Sequence, residues 1–194
     1  MDFDTFVFIG RSGCGKGTQA KLLKEKLENS SAKVLYFESG EHFRDYIKGN
    51  SYSSNLSKKI MDIGGLQPSF LAVRSWADYF IDNFKGNECL IMDGSPRILL
   101  EAKELDGAFK FYNRRAVVIY LNLTREEAEK RLLSRGREDD KSKDEIERRM
   151  NWFEECVVPV IEHYKNHQYI KLLDIDASPT VEVIHKDILG KIFT

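Results

Sequence analysis

The sequence predicts an α/β domain in which a five-stranded parallel sheet is flanked by helices, and three observations predict it. Four continuous apolar runs, Thr5–Gly10, Lys33–Phe37, Cys89–Met92 and Ala116–Leu121, with a similar fifth at Tyr169–Ile175, read as strands buried on both faces. Helical patterns separate them, as βαβ connections require. The first run leads directly into a glycine-rich loop that opens a helix. At 194 residues the chain is one domain, with room for an inserted lobe.

Each element has a local reason. After the first strand and its loop, Leu22, Leu23 and Leu27 mark the first helix. Residues 40–85 hold two or three helical stretches, too many for one crossover, so a helical lobe is expected there. Within it, Asp62-Ile-Gly-Gly65 matches a D-x-x-G switch pattern but ends a helical stretch, so its glycines are expected to cap that helix. The third strand ends at Asp93, and a helix spans Leu99–Leu105. Past the fourth strand, Thr124 and Glu127 form a capping-box pattern before Ala128 and Leu132. The stretch 135–143 is dense in charge and nearly free of apolar residues, the composition of a short flap. Ser142 and Glu145 repeat the capping box before a long segment, 144–165, that Pro159 is expected to bend. Ser178-Pro179 reads as the start of the last helix.

Composition narrows the function. With 42% hydrophobic and 11% aromatic residues the chain can bury an ordinary core. Thirty basic against 31 acidic residues leave a net charge of −1, which argues against a broad nucleic-acid track. The segment MDFDTFVFIG has acids where a signal peptide has Lys or Arg, and no stretch approaches the ~20 apolar residues of a membrane span. The three cysteines, Cys14, Cys89 and Cys156, are odd in number and far apart, unlike a disulfide scaffold or zinc site. A reduced, cytoplasmic setting is expected, with no membrane partner.

The loop Gly10-Arg-Ser-Gly-Cys-Gly15-Lys16-Gly17-Thr18 fits G-x-x-x-x-G-K-[ST] in its required strand–loop–helix context. Glycines let consecutive N–H groups turn toward phosphate oxygens, and the helix N-terminus adds partial positive charge. Lys16 is expected to reach the terminal phosphates and the Thr18 hydroxyl to meet Mg²⁺. Asp93, delivered by a buried strand, supplies a second oxygen for the metal. These features define a P-loop NTPase fold binding a triphosphate with Mg²⁺.

The fate of that triphosphate is narrowed by what is present. A GTPase needs a base-reading Asn-Lys-x-Asp, and the sequence has none. A kinase for a small phosphorylated acceptor needs cations around both substrates, because phosphoryl transfer is mostly positioning and charge stabilisation. The chain offers Arg44, Arg97 and a dense later set: Arg131, Arg135, Arg137, Arg148 and Arg149. Arg131 and Arg135 share a helix face, and Asp139-Asp140 can lock the Arg137 guanidinium.

These parts in this order resemble the adenylate kinase family of nucleoside monophosphate kinases, nearly end to end, in its short-lid form. Gly13, Cys14, Gly15, Lys16, Gly17 and Thr18 are similar to the family's ATP loop. The segment from Glu38 through Ser39, Gly40 and Arg44 resembles the one that holds the monophosphate acceptor. Lys58–Pro68 looks like the helix and turn covering the acceptor base, with contacts at Gly65, Leu66 and Gln67. Asp93-Gly94-Ser95-Pro96-Arg97 is similar to the family's Asp-Gly-Phe-Pro-Arg, whose arginine grips the acceptor phosphate. Arg131 and Arg135 fall where the family clamps ATP, and Arg137-Glu-Asp139-Asp140 resembles its lid base. The late Ile146-Glu-Arg-Arg149-Met150 fits the family's Ile-x-x-Arg-Leu, which selects Arg149, whereas spacing from Arg137 would select Arg148.

The resemblance implies reversible phosphoryl transfer from ATP to a nucleoside monophosphate, AMP foremost, with Mg²⁺, in a monomer whose partners are small nucleotides. It implies a core of 1–39 and 86–194, an acceptor lobe at about 40–85 and a lid at about 135–143. Lys16, Arg97, Arg137 and Arg149 would carry the transferred charge. A nucleotide-triggered switch or regulatory ATPase is the rival of another class, and the acceptor arginines Arg44 and Arg97 argue against it.

Three positions depart from the family. Ser12 replaces a frequent proline, Ser95 replaces phenylalanine, and Glu101 stands where a glutamine reads the acceptor adenine. An ionised Glu only accepts hydrogen bonds, so it favours guanine, with its N–H and amino donors, over adenine. Losing one matched buried contact costs ~1–3 kcal/mol. If Glu101 instead points to solvent or is protonated, AMP remains the acceptor; GMP, UMP and CMP stay open as alternatives.

Overall fold

A computed structural model describes residues 3–135 and 142–193. Strands β1 (Thr5–Gly10), β2 (Val34–Glu38), β3 (Cys89–Asp93), β4 (Ala116–Asn122) and β5 (Lys171–Asp176) form one sheet. Their order is β2-β3-β1-β4-β5 and every pairing is parallel. This is the five-stranded P-loop NTPase architecture expected from the apolar runs.

Alternation along the strands divides the core between two faces. Phe6 and Phe8 of β1 join Ile91, Val117 and Ile119 on one face, under α1 (Lys16–Asn29) and α9 (Val181–Ile192). Ala128 and Leu132 of α6 (Arg125–Arg135) and Ile146 and Met150 of α7 (Lys143–Trp152) complete that face. Val7 and Ile9 join Leu90, Met92 and Val118 on the other, under α5 (Leu99–Phe111), α8 (Val158–Lys165) and a third helix, α4 (Ser69–Asn83). Fully burying one such side chain contributes roughly 1.5–3 kcal/mol, so these two layers hold the loops at the strand ends.

Between β2 and β3 lie α2 (Ser39–Tyr46), α3 (Tyr52–Asp62) and α4, three helices where two or three were expected. Trp76 and Phe80 seat α4 in the core, whereas α3 fully buries only Ser54 and Ser57. The end of α3 is a glycine-capped turn, as expected: Gly64 N–H donates to Met61 O and Gly65 N–H to Ile60 O.

Two expectations shift. The fifth strand begins at Lys171 rather than Tyr169, because the Tyr169 and Ile170 amides both donate to His167 Nδ1 and curl around the ring. This edge strand also alternates, burying Leu173 and Ile175 between a half-buried Leu172 and exposed Asp174 and Asp176, instead of running continuously apolar. The last helix begins at Val181 with Thr180 as its cap, not at Ser178-Pro179; the Ser178 amide donates to Asp176 Oδ1 in a turn that delays the helix. Elsewhere the caps hold. Ser142 and Glu145 form both bonds of a capping box, and Thr124 Oγ1 accepts from Glu127 N–H. The 144–165 segment is interrupted by a π-helical turn, Phe153–Val157, just ahead of Pro159, which lacks the N–H that a continuous helix would use. No helix among the described residues is long and apolar enough to cross a membrane.

Candidate active site

The carboxyl ends of β1 and β3 open into a cleft of about 820 Å³. β1 has β3 on one side and β4 on the other, which is the topological switch point where open α/β sheets bind ligands. One wall is the loop from Gly10 to α1. Gly13 (φ 87°) and Gly15 (φ 96°) both take left-handed backbone, where a side chain is strained. Gly15 caps α1 without any side-chain hydrogen bond, and no acid stands in the first turn. The helix's first N–H groups are therefore left for an external acceptor, with partial positive charge behind them. Lys16 Nζ donates to Gly10 O and Arg11 O, each at 2.8 Å, folding the cation across the loop it would serve. Thr18 is exposed on the same wall, Cys14 is buried beneath it, and Gln19 anchors α1 by donating to Val181 O at 2.9 Å.

Asp93 closes the cleft floor. It is 6% exposed, and Tyr36 OH donates to its Oδ2 at 3.3 Å. Burial raises its pKa, while the nearby Lys16 charge pulls the other way. A buried carboxylate and an alcohol, both hard oxygen donors, fit Mg²⁺ at the triphosphate; Thr18 and Asp93 are the residues that would hold it.

The opposite wall is cationic. Arg97 Nε donates to Gly94 O at 2.6 Å and Nη2 to Ser39 Oγ at 3.3 Å, while Ser39 Oγ itself donates to Gly94 O at 2.9 Å. The guanidinium stacks 5.5 Å from the Trp152 ring. Arg44 is held by Glu38 Oε1 at 2.8 Å. Burial lowers the pKa of Arg97, and Arg149 and Arg44 lower it further against the opposing charges of Glu101 and Asp93. Two further guanidinium groups thus bear on Arg97 at this wall, a setting suited to an anion.

Other expected site residues fall as follows. Gly40, Gly65, Gln67 and Gly94 line the main cleft, with Leu66 and Ser95 behind it and Pro96 buried in the connecting loop. The Gln67 side chain is consumed by Ser57, accepting from its hydroxyl at 2.9 Å and donating to its carbonyl at 3.0 Å. Arg131 lines the cleft with Nη2 on Ser178 O at 3.2 Å. Arg149 lines it too, whereas Arg148 turns away to bond Ile63 O at 2.9 Å. Arg135 ends α6; its side chain, Arg137, Asp139 and Asp140 lie outside the described residues.

Glu101 does not point to solvent. It is 1% exposed, because the first turn of α5 packs inward behind Arg97, and its Oε2 accepts the Arg97 backbone N–H at 2.7 Å. Burial raises its pKa against the opposing pull of the Arg97 amide.

Two residues of this site, Trp152 and Tyr36, escaped sequence reasoning, and Glu38 was named only as the start of the acceptor segment, without its role. Trp152 donates Nε1–H to Gly64 O at 3.2 Å and faces Arg97; its position three residues after Arg149, on the same helix face, was the available signal. Glu38 orients Arg44, and Tyr36 holds Asp93. The Glu38–Arg44 contact is local, whereas Tyr36 reaches Asp93 because the sheet order sets β2 beside β3.

Comparison with known proteins agrees with this layout. The adenylate kinase family model matches residues 8–169. An adenylate kinase of Azobacteroides pseudotrichonymphae genomovar. CFP2 is 34% identical over 192 residues, spanning 95% of this chain and 94% of its own. One of Prochlorococcus marinus (strain MIT 9301) is 32% identical over 186 residues, 95% of this chain and 96% of its own. A third, from Flavobacterium psychrophilum, is 30% identical and covers 93% of each. With a phosphate loop, a buried strand-end carboxylate and a facing arginine wall in one cleft, and this similarity along almost its whole length, the chain belongs to the adenylate kinase family.

Proposed function

We propose that the chain catalyses reversible transfer of the ATP γ-phosphoryl group to AMP, giving two ADP. One observation carries this: a single cleft joins the phosphate loop at Lys16 to the arginine wall of Arg44, Arg97 and Arg149. A hydrolase needs the first wall only; a kinase for a phosphorylated acceptor needs both. AMP as acceptor is supported by the relatives, which are named adenylate kinases.

In this reading Gly13–Thr18 cradle the ATP phosphates, with Arg131 and Arg135 on the nucleotide's outer side. Ser39, Gly40, Arg44, the Gly65–Gln67 turn, the Gly94–Arg97 loop and Glu101 receive AMP. Lys16 leaves its two loop carbonyls for the terminal phosphates. Arg97, Arg137 and Arg149 follow the charge as it moves between nucleotides, and Asp139 and Asp140 steady the lid. Mg²⁺, held by Thr18 and Asp93 when bound, supplies charge neutralisation between the phosphates. Closing residues 40–85 and the lid at about 135–143 over the cleft would exclude water and suppress ATP hydrolysis. A monomer in the cytoplasm, using free nucleotides, completes the proposal; the three free cysteines suit a reducing compartment.

The test is a coupled assay of ADP formation from ATP with AMP, GMP, UMP or CMP. AMP is expected to be the best acceptor near neutral pH. Hydrolysis of ATP with no monophosphate phosphorylated would sink the kinase assignment.

A further inference from the structure

Glu101 carries an asymmetry that a simple structural carboxyl would lack. Oε2 is engaged by the Arg97 amide at 2.7 Å, yet Oε1 is buried with no hydrogen-bond partner. Leaving a buried polar atom unpaired is unfavourable unless something else meets it. Glu101 lines a cavity of about 20 Å³ with Phe43, Leu66, Ala72 and Ser95. That volume suits about one water molecule. The cavity shares Ser39, Phe43, Gln67 and Arg97 with the main cleft, so it is the cleft's inner end.

We propose that Glu101 reads the acceptor base as the neutral acid, with its proton on Oε1, so that AMP binding is coupled to protonation at this residue. This rests on the reading of the cleft as an AMP kinase site. With Oε2 occupied by an amide N–H, the proton belongs on Oε1. A carboxylic acid then offers one donor and one carbonyl acceptor side by side, which matches the adenine ring nitrogen and amino group. Once ionised, Glu101 has no donor and sets a carboxylate against the adenine lone pair. A 6-oxopurine, whose ring N–H donates, prefers that ionised form.

The surroundings favour the acid. Burial is the leading influence on Glu101 and raises its pKa; the Arg97 amide and guanidinium, the Ser95 hydroxyl and the Ile98 amide oppose it, none closing a hydrogen bond onto Oε1. Arg97 is itself shared with Asp93, Arg149 and Arg44. From α8, Tyr164 senses both Glu101 and Asp106, and Asp106 on α5 is engaged by His163 at 2.7 Å and His167 at 3.5 Å. Among the described residues, α2 presents Ser39 and Phe43 to the cavity and α4 presents Ala72, with Gln67 from the turn before α4, so none of these elements adds an ionisable group there.

The experiment measures the AMP KM from about pH 5.5 to about pH 9, at saturating ATP and Mg²⁺, for wild type and Glu101→Gln. The wild-type KM is expected to climb by up to about tenfold per pH unit once Glu101 ionises. The glutamine variant keeps its donor at every pH and lacks this rise. Ionisation of the AMP phosphate affects both proteins and cancels in their ratio. With inosine monophosphate as acceptor, wild-type preference for it over AMP should grow with pH, and the variant's should not. Titration calorimetry of wild type with AMP in two buffers at about pH 8, where the nucleotide phosphate is already dianionic, should register proton uptake; this arm needs no variant to fold. Parallel KM–pH profiles with no proton uptake overturn the proposal. If wild type makes no ADP from AMP at any pH, the kinase reading itself fails. ADP formation with parallel profiles removes only the role of Glu101.

Discussion

Replacing Gly13 and Gly15 by alanine, one at a time, separates what the phosphate loop needs for folding from what it needs for ATP. Both sit at left-handed φ, 87° and 96°, which costs an alanine about 1–2 kcal/mol. Their surroundings differ. A Cβ at Gly13 would lie 2.8 Å from Ala128 O and 3.1 Å from Leu132 Cγ, whereas one at Gly15 meets nothing within 4 Å. Relieving the Gly13 contact moves the loop about 0.6 Å off α6, and overpacking of this kind costs about 1–3 kcal/mol. Gly13→Ala should therefore lose about 3 kcal/mol and Gly15→Ala about 1.5 kcal/mol. At about 2–4 °C per kcal/mol for a chain of this size, Tm falls by about 6–12 °C and about 3–6 °C respectively. Function should reverse the order of mildness at ATP. The Gly15 methyl enters the space that a phosphate would fill, so the ATP KM is expected to rise at least about tenfold with the AMP KM little changed. Thermal unfolding by circular dichroism and initial rates at varied ATP measure the two effects. Equal Tm losses would refute the packing difference, and wild-type ATP affinity in Gly15→Ala would refute the loop as the phosphate seat.

Other outcomes follow from single contacts. Arg149→Ala should lower kcat by about 10²–10³-fold, the usual loss of one charge-stabilising donor, while Arg148→Ala, which gives up a bond to Ile63 O, should change kcat by less than about threefold; steady-state rates compare them. Gln67→Ala removes two buried bonds to Ser57, about 1 kcal/mol each, so the AMP KM should rise with the ATP KM unchanged. Glu101→Gln should raise Tm above that of wild type, and increasingly so as pH rises. Above the ordinary value of 4.5 the unfolded chain has released the proton that the folded chain retains, so wild-type stability falls as pH climbs through the raised folded value, and the neutral amide escapes that loss. A Tm difference that is constant with pH would contradict this.

Much of the site was legible because its parts are contiguous. Strand, glycine turn and helix N-terminus are consecutive from Thr5 to Asn29, so local chemistry alone specifies an anion cradle. The capping box at Ser142 and Glu145 and the glycine turn after Asp62 are likewise short-range. The start of the last helix was misplaced because Asp176, two residues before Ser178, competes for its amide.

The sequence by itself determined the fold class, the phosphate loop with Lys16 and Thr18, the strand-end Asp93 and the supply of arginines. Periodicity and local backbone chemistry encode these without reference to distant residues. Only the tertiary structure decided which arginine of the Arg148–Arg149 pair enters the cleft, that Tyr36 holds Asp93, and that Trp152 backs Arg97. It also decided that Glu101 is buried with one oxygen bound and one left open. These outcomes depend on helix phase and on sheet order, which brings β2 and β3 side by side across 50 residues of intervening chain. Long-range packing sets both, and no short stretch of sequence records it.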